Sequence, residues 1–208
     1  MAPHARWQRQ ASVPMTAATT WRSKSGIIMF HLAMPSSAAP AAAIRRAVEV
    51  FIDQVTSVGT VREVKVSTRA GGEDAEEWKV AGDEREIVQR LAECADVTAV
   101  LARCDLRCED RDGEAFIIPG GLTFWVQLAE IDSPPEEPLE INVTLDTDVY
   151  IPKTWGDHRD NRELAMRNAP RFNRFLDALV RETGALIDSV SADDYPGQVD
   201  ANGIVLRG

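Results

Sequence analysis

Residues 139–151 read LEINVTLDTDVYI, and apolar side chains stand at every second position through most of that stretch. A period of two is typical of a β-strand that buries one face and leaves the other in water. Three further strands are predicted just upstream, at 97–109, 114–118 and 122–131. The tight-turn sequences Asp112-Gly113 and Pro119-Gly120-Gly121 separate them. The sequence therefore predicts a four-stranded antiparallel meander over 97–151, with one wet face.

Helices and further strands are predicted on both sides of this meander. Apolar residues recur at the helical period after residues 40, 83 and 157, and short apolar runs favour strands at 27–32, 61–67 and 186–190. The stretch 69–82 is predicted to be a loop, and Pro170 is expected to kink or restart the last helix. The result is an α+β fold in the order β-α-β-α-β-β-β-β-α-β, an antiparallel sheet with helices packed mainly on one face.

The charge of the chain is divided unevenly. Its 208 residues include 23 Lys and Arg against 33 Asp and Glu, for a formal net charge of −10. The first 25 residues hold four of the basic residues and no acidic one. Residues 26–208 therefore keep 19 basic and 33 acidic side chains, a net −14. We expect a disordered basic tail at 1–25, with a targeting segment or a mis-assigned start as alternatives, and a single acidic domain at 26–208.

This acidic body narrows the range of partners. It repels phosphate backbones, which disfavours nucleic-acid binding, and no apolar run approaches the ~20 residues that span a bilayer, so no membrane partner is expected. A basic protein partner would suit the charge, although solubility alone also explains it. The odd count of three cysteines excludes a full disulfide framework and favours a cytoplasmic location.

The cysteines and histidines give no metal-site pattern. Cys104 and Cys108 have a suggestive spacing, but residues four apart on a strand are separated by about 13 Å, too far for a disulfide or a shared small metal site. Both thiols are therefore predicted to be buried on the core face of their strand. The strand at 27–32 is interpreted as buried on both faces, which makes His31 a hydrogen-bonded core histidine. No cofactor is predicted.

The corner at 146–161, where a strand exits into a helix, is one candidate site. Asp146 and Asp148 share a strand face about 6.6 Å apart, and with His158 they could hold a hard divalent cation. The same carboxylates are also explained without a ligand. In that interpretation Asp157 and Asp160 cap the following helix, and Asp146 and Asp148 solvate an exposed face.

The wet face of the meander is the second candidate site. By alternation it carries polar and aromatic side chains from two neighbouring strands, namely Trp125, Gln127, Asn142, Thr144, Asp146, Asp148 and Tyr150. An aromatic anchor inside a polar rim is the usual composition of a protein-binding patch. A helix or the tail lying over this face would instead bury Trp125.

A basic stripe on the last predicted helix is the third candidate. Arg167, Arg171, Arg174 and Arg181 recur at helical spacing beside the apolar face. Such a stripe could bind an acidic partner. It is also explained as a solvated face whose guanidinium groups pair with the acidic body.

The function prediction rests on these surfaces and on missing motifs. The sequence contains no G-x-G-x-x-G, no phosphate-binding loop, no G-x-S-x-G and no H-E-x-x-H. We therefore expect a non-catalytic protein-binding module, for example an acidic inhibitor or immunity-type protein for a basic partner such as a toxin. The alternative is a metal-assisted enzyme that acts on a small or phosphorylated substrate at the 146–161 corner.

Overall fold

The computed structural model describes residues 23–35, 39–70, 73–80, 84–94, 96–128, 139–154, 159–192 and 194–206. Its larger elements are listed here in chain order: β1 Ser23–Met34, α1 Pro40–Val55, β2 Gly59–Ala70, β3 Glu73–Val80, α2 Glu84–Glu93, β4 Val97–Glu109, β5 Ala115–Leu128, β6 Leu139–Thr147, α3 Arg162–Thr183 and β7 Leu186–Ser191. A short hairpin follows, made of β8 Val199–Asp200 and β9 Gly203–Ile204.

Strands β1 to β7 form one sheet in the order β3-β2-β4-β5-β6-β1-β7. Every neighbouring pair in this sheet is antiparallel. This confirms the predicted α+β fold with an antiparallel sheet. The central meander β4-β5-β6 is extended on one side by the β2-β3 hairpin and on the other by β1 and β7, which come from the two ends of the chain.

The meander has three strands where four were predicted, because Pro119-Gly120-Gly121 does not reverse the chain. Both halves of β5 pair with β4 in one direction: Cys104 lies opposite Leu122 and Leu106 opposite Ile118. The two extra residues of β5 form a bulge. Gly120 has φ +62, a region that favours glycine, and its N–H donates to Asp105 Oδ1 at 2.8 Å. The predicted turn at Asp112-Gly113 is confirmed, with Gly113 at φ +87.

Strand β3 was missed, because residues 69–82 were predicted to be a loop. The segment reads EDAEEWKV, in which only Trp78 and Val80 are large apolar residues. It pairs through its backbone with β2, with Val66 opposite Trp78 and Lys65 opposite Lys79. Edge strands commonly carry charged side chains, which prevent pairing with other chains and weaken the hydrophobic pattern.

One face of the sheet carries the core. Alternate residues of the central strands are buried there: Phe30 and Leu32 on β1, Val64 and Val66 on β2, Val100, Ala102, Cys104, Leu106 and Cys108 on β4, Leu122, Phe124 and Val126 on β5, and Ile141, Val143 and Leu145 on β6. Helix α1 contacts β2, β4 and β5 as well as α2 and α3. All three helices therefore pack on this face, as predicted.

Aromatic side chains connect the helices to the sheet. Phe51 of α1 stacks on Phe124 of β5 with ring centroids 4.1 Å apart, and its other side meets the ring of Phe175 edge-on. Phe172 packs at 5.7 Å from Phe30 and at 5.4 Å from Tyr150. Because aromatic rings bury the largest areas per side chain, this cluster holds the two long helices against the middle of the sheet.

Helix α3 is continuous through Pro170, so the expected restart does not occur. Gly184 ends the helix at φ 70, as helix C-termini often do. Two buried or half-buried amides on α3 bind backbone groups elsewhere. Asn168 accepts from the N–H of Glu109 and donates to its carbonyl at 2.8 and 2.9 Å. Asn173 does the same for Ile204 at 2.9 and 3.0 Å. These bonds attach α3 to the end of β4 and to the C-terminal hairpin.

The predicted tail falls mostly outside the described residues. Residues 1–22 are not described, whereas Ser23 to Ser25, assigned to the tail from sequence, belong to β1, and Ser23 lies opposite Thr147 on β6. Among the described residues, none of the helices has the length and apolar character that crossing a membrane requires.

Adjacent residues on β5 provide a test of this architecture. Phe124 is fully buried and Trp125 is 39% exposed on the opposite face. We predict that Phe124→Ala lowers the free energy of unfolding by about 3–5 kcal/mol through loss of transfer energy and creation of a cavity. Trp125→Ala should cost at most about 2 kcal/mol, because part of that side chain already contacts water. Urea unfolding measures both, and equal losses would contradict the assignment of faces.

Candidate functional site

The second face of the sheet is not covered by any of the three helices, and we call it the open face. It is built from the residues that alternate with the core positions. These are Glu63, Lys65 and Ser67 on β2, Ala99, Leu101 and Arg103 on β4, Thr123, Trp125 and Gln127 on β5, Glu140, Asn142, Thr144 and Asp146 on β6, Met29, His31 and Ala33 on β1, and Leu186, Ser189 and Ser191 on β7.

Trp125 occupies the centre of the open face. Its direct cross-strand neighbours are Leu101 on β4 and Asn142 on β6. The aromatic side chain is 39% exposed, while its chain neighbour Phe124 is fully buried. Among the described residues, none covers Trp125 completely, and part of its side chain is therefore in contact with water.

Hydrogen bonds flank Trp125 on both sides along the strands. Gln127 Nε2 donates to Glu140 Oε2 at 3.1 Å on one side. Thr123 Oγ1 donates to Asp146 Oδ2 at 2.9 Å on the other. Each bond joins β5 to β6, so the polar groups around the aromatic ring are held in place before any ligand arrives. The described geometry thus brings Trp125, Gln127, Asn142 and Asp146 together as predicted.

Three of the residues predicted for this face are buried. Thr144 faces the right way but is only 7% exposed. Asp148 and Tyr150 are buried, and the expectation that they lie on the wet face is wrong. Strand β6 ends at Thr147, and the chain then turns inward, with the Ile151 N–H donating to the Asp148 carbonyl at 3.0 Å. Alternation stops where the strand stops, so it no longer assigns faces beyond that residue.

Tyr150 and Cys108 meet in the core. The phenol oxygen lies 3.6 Å from the Cys108 sulfur, and the ring packs on Phe172. Burial raises the pKa of the Cys108 thiol to about 11 and raises that of the Tyr150 phenol well above its usual range. Burial raises the pKa of Cys104 as well. Both thiols are buried on the core face, as predicted, and at neutral pH they are protonated, so neither is an activated nucleophile.

Asp148 forms a buried ion pair. Its carboxylate accepts a hydrogen bond from Arg159 Nη2 at 2.6 Å, and its side chain is 3% exposed. The backbone carbonyl of Asp148 accepts a bond from Asn161 Nδ2 at 3.4 Å. Asn161 is itself fully buried and precedes the first residue of α3. The pair therefore fastens the end of β6 to the segment that enters the helix.

Asp146 and Asp148, predicted with His158 as alternative metal ligands, have different surroundings. Asp148 is engaged by Arg159 in the interior, while Asp146 binds Thr123 on the open face. His158 lies outside the described residues, as does Asp157. Among the residues that are described, no group of three or more His, Cys, Asp or Glu side chains is arranged to hold a metal ion.

A cavity of about 560 Å³ lies beside this corner, at the start of α3. Its lining combines the apolar side chains of Met166 and Leu206 with charged groups, among them Asp160 and Arg162. Arg162 binds both carboxylate oxygens of Asp160, with a closest distance of 2.6 Å. These hydrogen bonds lower the pKa of Asp160 to about 2. The charges that line this cavity are thus already paired with one another.

The four arginines of the stripe on α3 all contact groups within this chain. Arg167 donates to the carbonyl of Arg111 at 2.9 Å, and Arg171 donates to the carbonyl of Arg107 and lies 3.9 Å from Glu109. Arg174 donates to the carbonyl of Pro170, and Arg181 pairs with Glu182 at 3.1 Å. Two of the four arginines therefore attach α3 to β4 and its turn.

The sequence prediction missed the part of the open face contributed by β1 and β7. Strand β1 was interpreted as buried on both faces, but His31 and Ala33 lie on the open face. His31 is half-buried there, and its Nε2 lies 3.2 Å from Ser191 Oγ. The polar His31 between the apolar Phe30 and Leu32 was the available signal.

Two Asp–Arg pairs of equal length allow a test of the corner. Asp148–Arg159 and Asp160–Arg162 both have a closest distance of 2.6 Å, but the carboxylates are 3% and 55% exposed. We predict that Asp148→Asn lowers the free energy of unfolding by about 3–5 kcal/mol, because it leaves a poorly solvated arginine without its counter-ion. Asp160→Asn should change it far less, since water screens exposed pairs. Urea unfolding of both variants decides, and equal effects would contradict the buried pair.

Comparisons with known proteins do not extend this description. No protein-family model matches the chain. Neither a curated protein nor a solved structure matches it. The function is therefore argued below from the chain's own residues.

Proposed function

We propose that this chain is a protein-binding module whose contact surface is the open face around Trp125. The observation that carries the proposal is the exposed aromatic side chain at the centre of the open face, with hydrogen-bonded polar side chains on either side of it along the strands. Tryptophan is among the residues that contribute most binding energy at protein interfaces, and such residues cluster near the interface centre.

The composition around Trp125 supports this proposal. A buried aromatic core inside a polar rim is the usual anatomy of a protein interface. Here the rim is supplied by the Gln127–Glu140 and Thr123–Asp146 hydrogen bonds. Because each side chain is already held by a neighbour, less conformational entropy would be lost when a partner orders the surface.

The core needs no side chain from position 125. Phe124, Phe51 and their neighbours fill the space on the helical face, where the packing is closed. Trp125 and its half-buried neighbour Leu101 instead place apolar surface on the open face, and contiguous apolar patches mark interaction sites. The placement of Trp125 thus favours a role in binding over a role in folding.

The alternative, a metal-assisted enzyme at the 146–161 corner, requires groups that are occupied. Asp148 would have to release Arg159 and leave the interior to act on a ligand. The buried cysteines are protonated at neutral pH and cannot replace it as a reactive group. These contacts favour the binding module.

A narrower form of the proposal is an acidic inhibitor or immunity-type protein that blocks a basic partner such as a toxin. It is supported by the net charge of −14 on residues 26–208. Opposite net charge accelerates the encounter of two proteins and selects among partners. The same charge also suits other basic partners, so the partner's identity is a matter for experiment.

Affinity capture with two matched variants tests the proposed surface. Trp125→Ala removes the exposed aromatic on the open face, and Met166→Ala removes a side chain that is 58% exposed on α3. For a partner captured by the full chain and then purified, we expect Trp125→Ala to weaken binding at least 10-fold, because central interface aromatics are hot spots. Met166→Ala should leave the affinity within about twofold, as expected for a side chain outside the interface.

Thermal unfolding of both variants serves as the folding control in this experiment. Calorimetric titration gives the affinities for the purified partner. Equal binding by Trp125→Ala and the parent chain, with both folded, would show that the open face around Trp125 is not the contact surface.

A further inference from the structure

We infer that the partner inserts a lysine or arginine side chain into a cavity on the open face between β6, β1 and β7. This inference rests on the proposed function and specifies the chemistry of the partner. The cavity has a volume of about 310 Å³ and lies on the side of Trp125 away from β4. Its open-face lining is His31, Ala33, Glu140, Asn142 and Ser189, and Asp188 contributes from β7.

The cavity follows from the residues that face one another across the strands. Ala33 of β1 lies between Glu140 of β6 and Leu186 of β7 in one cross-strand row. A methyl group between two long side chains leaves a depression in the sheet surface. The register shift between His31 and Leu32 makes Asp188 the extra residue of β7, and Asp188 lines the same cavity.

The charge around the cavity has one sign. The strand segments 27–34, 139–147 and 186–191 contain Glu140, Asp146 and Asp188 but no Lys or Arg. The other half of the open face differs, since Lys65 and Arg103 lie on β2 and β4. A cationic side chain in the cavity would meet two carboxylates at its edge, and charge-assisted hydrogen bonds of this kind are stronger than neutral ones.

The distance between Trp125 and Ser189, at the far wall of the cavity, suits one extended segment of a partner. Trp125, Asn142, His31 and Ser189 are successive neighbours across β5, β6, β1 and β7. With strands about 4.8 Å apart, Trp125 and Ser189 are about 14 Å apart, a length that about four extended residues span. We therefore expect an apolar residue against Trp125 and a lysine or arginine about four positions away.

A second copy of this chain is a poorer occupant. Two bodies that each carry a net −14 repel one another. In a symmetric contact through this part of the face, the cavity carboxylates of one copy would approach those of the other. A basic segment of another protein avoids both costs, and self-association becomes an outcome that the experiment can detect.

Selection from a random library of 12-residue displayed peptides tests the inference without knowledge of the natural partner. The full chain is immobilised, and peptides are selected that bind it but do not bind Trp125→Ala. We expect enrichment of lysine or arginine about four positions from an aromatic or aliphatic residue. The selected peptides are then synthesised and titrated against variants of the full chain.

A matched pair of double variants separates a specific cavity from general charge attraction. Glu140→Gln with Asp188→Asn removes the two cavity carboxylates. Asp53→Asn with Asp177→Asn removes the same charge from exposed positions on α1 and α3. The cavity variant should weaken peptide binding at least 10-fold, while the helix variant stays within about threefold.

The other possible results contradict either the cavity inference or the proposed function. Peptides that need Trp125 but carry no basic residue, or that bind both double variants equally, overturn the cavity inference and leave the proposed function standing. A library in which every peptide that binds the full chain also binds Trp125→Ala, so that none survives the selection, contradicts the proposed function itself. The inference is overturned in favour of another occupant if the library yields no bound peptide. It is also overturned if the chain sediments as a dimer and Trp125→Ala abolishes that dimer.

Discussion

Because helices cover only one face of this sheet, the alternating side chains of its central strands can be buried on that face alone. In this chain α1, α2 and α3 all pack on the same face of the seven-stranded sheet. A shift of one residue in any central strand would exchange its buried and exposed side chains. On β5 such a shift would expose Phe124 and drive Trp125 into the core, so the register that builds the core also determines which residues form the open face.

Buried polar groups are the second constraint on this architecture. At two places where an element ends against α3, an asparagine side chain makes the backbone hydrogen bonds that a neighbouring strand would otherwise make. Asn168 binds both backbone groups of Glu109, and Asn173 binds those of Ile204. The buried Asp148–Arg159 pair fastens the remaining corner. Unsatisfied buried polar groups are costly, and these bonds explain why polar residues occur at positions that a hydrophobic pattern alone would leave unexplained.

The fold class was predictable because its central strands obey a simple period. The alternation of β4 and β6 alone assigns Cys104, Cys108, Asn142 and Asp146 to the correct faces. Strand β3 was not predictable in this way, since its polar sequence pairs through the backbone at a sheet edge. Pro119-Gly120-Gly121 has the composition of a turn and of a bulge alike, and only the pairing of both halves of β5 with β4 distinguishes them.

The candidate site was predictable only in its centre. Trp125 and its rim follow from two adjacent strands of the meander, whereas the cavity beside them requires β1 and β7, which are distant in sequence from β6 and from each other. The errors at Asp148 and Tyr150 have a local cause: the alternation was extended to Ile151, four residues beyond Thr147, the end of the strand. Beyond the end of a strand, the turn that follows determines the direction of the side chains, so a period of two does not predict it.

The central claim is that the sheet keeps an open face with Trp125 in contact with water. Hydroxyl-radical footprinting of the full chain, read by mass spectrometry, tests it directly. The account predicts oxidation of Trp125 at a rate several-fold above that of Phe124 and Tyr150, which are fully buried. Protection of Trp125 to the level of Phe124 would show that this face is covered in solution and would contradict the account.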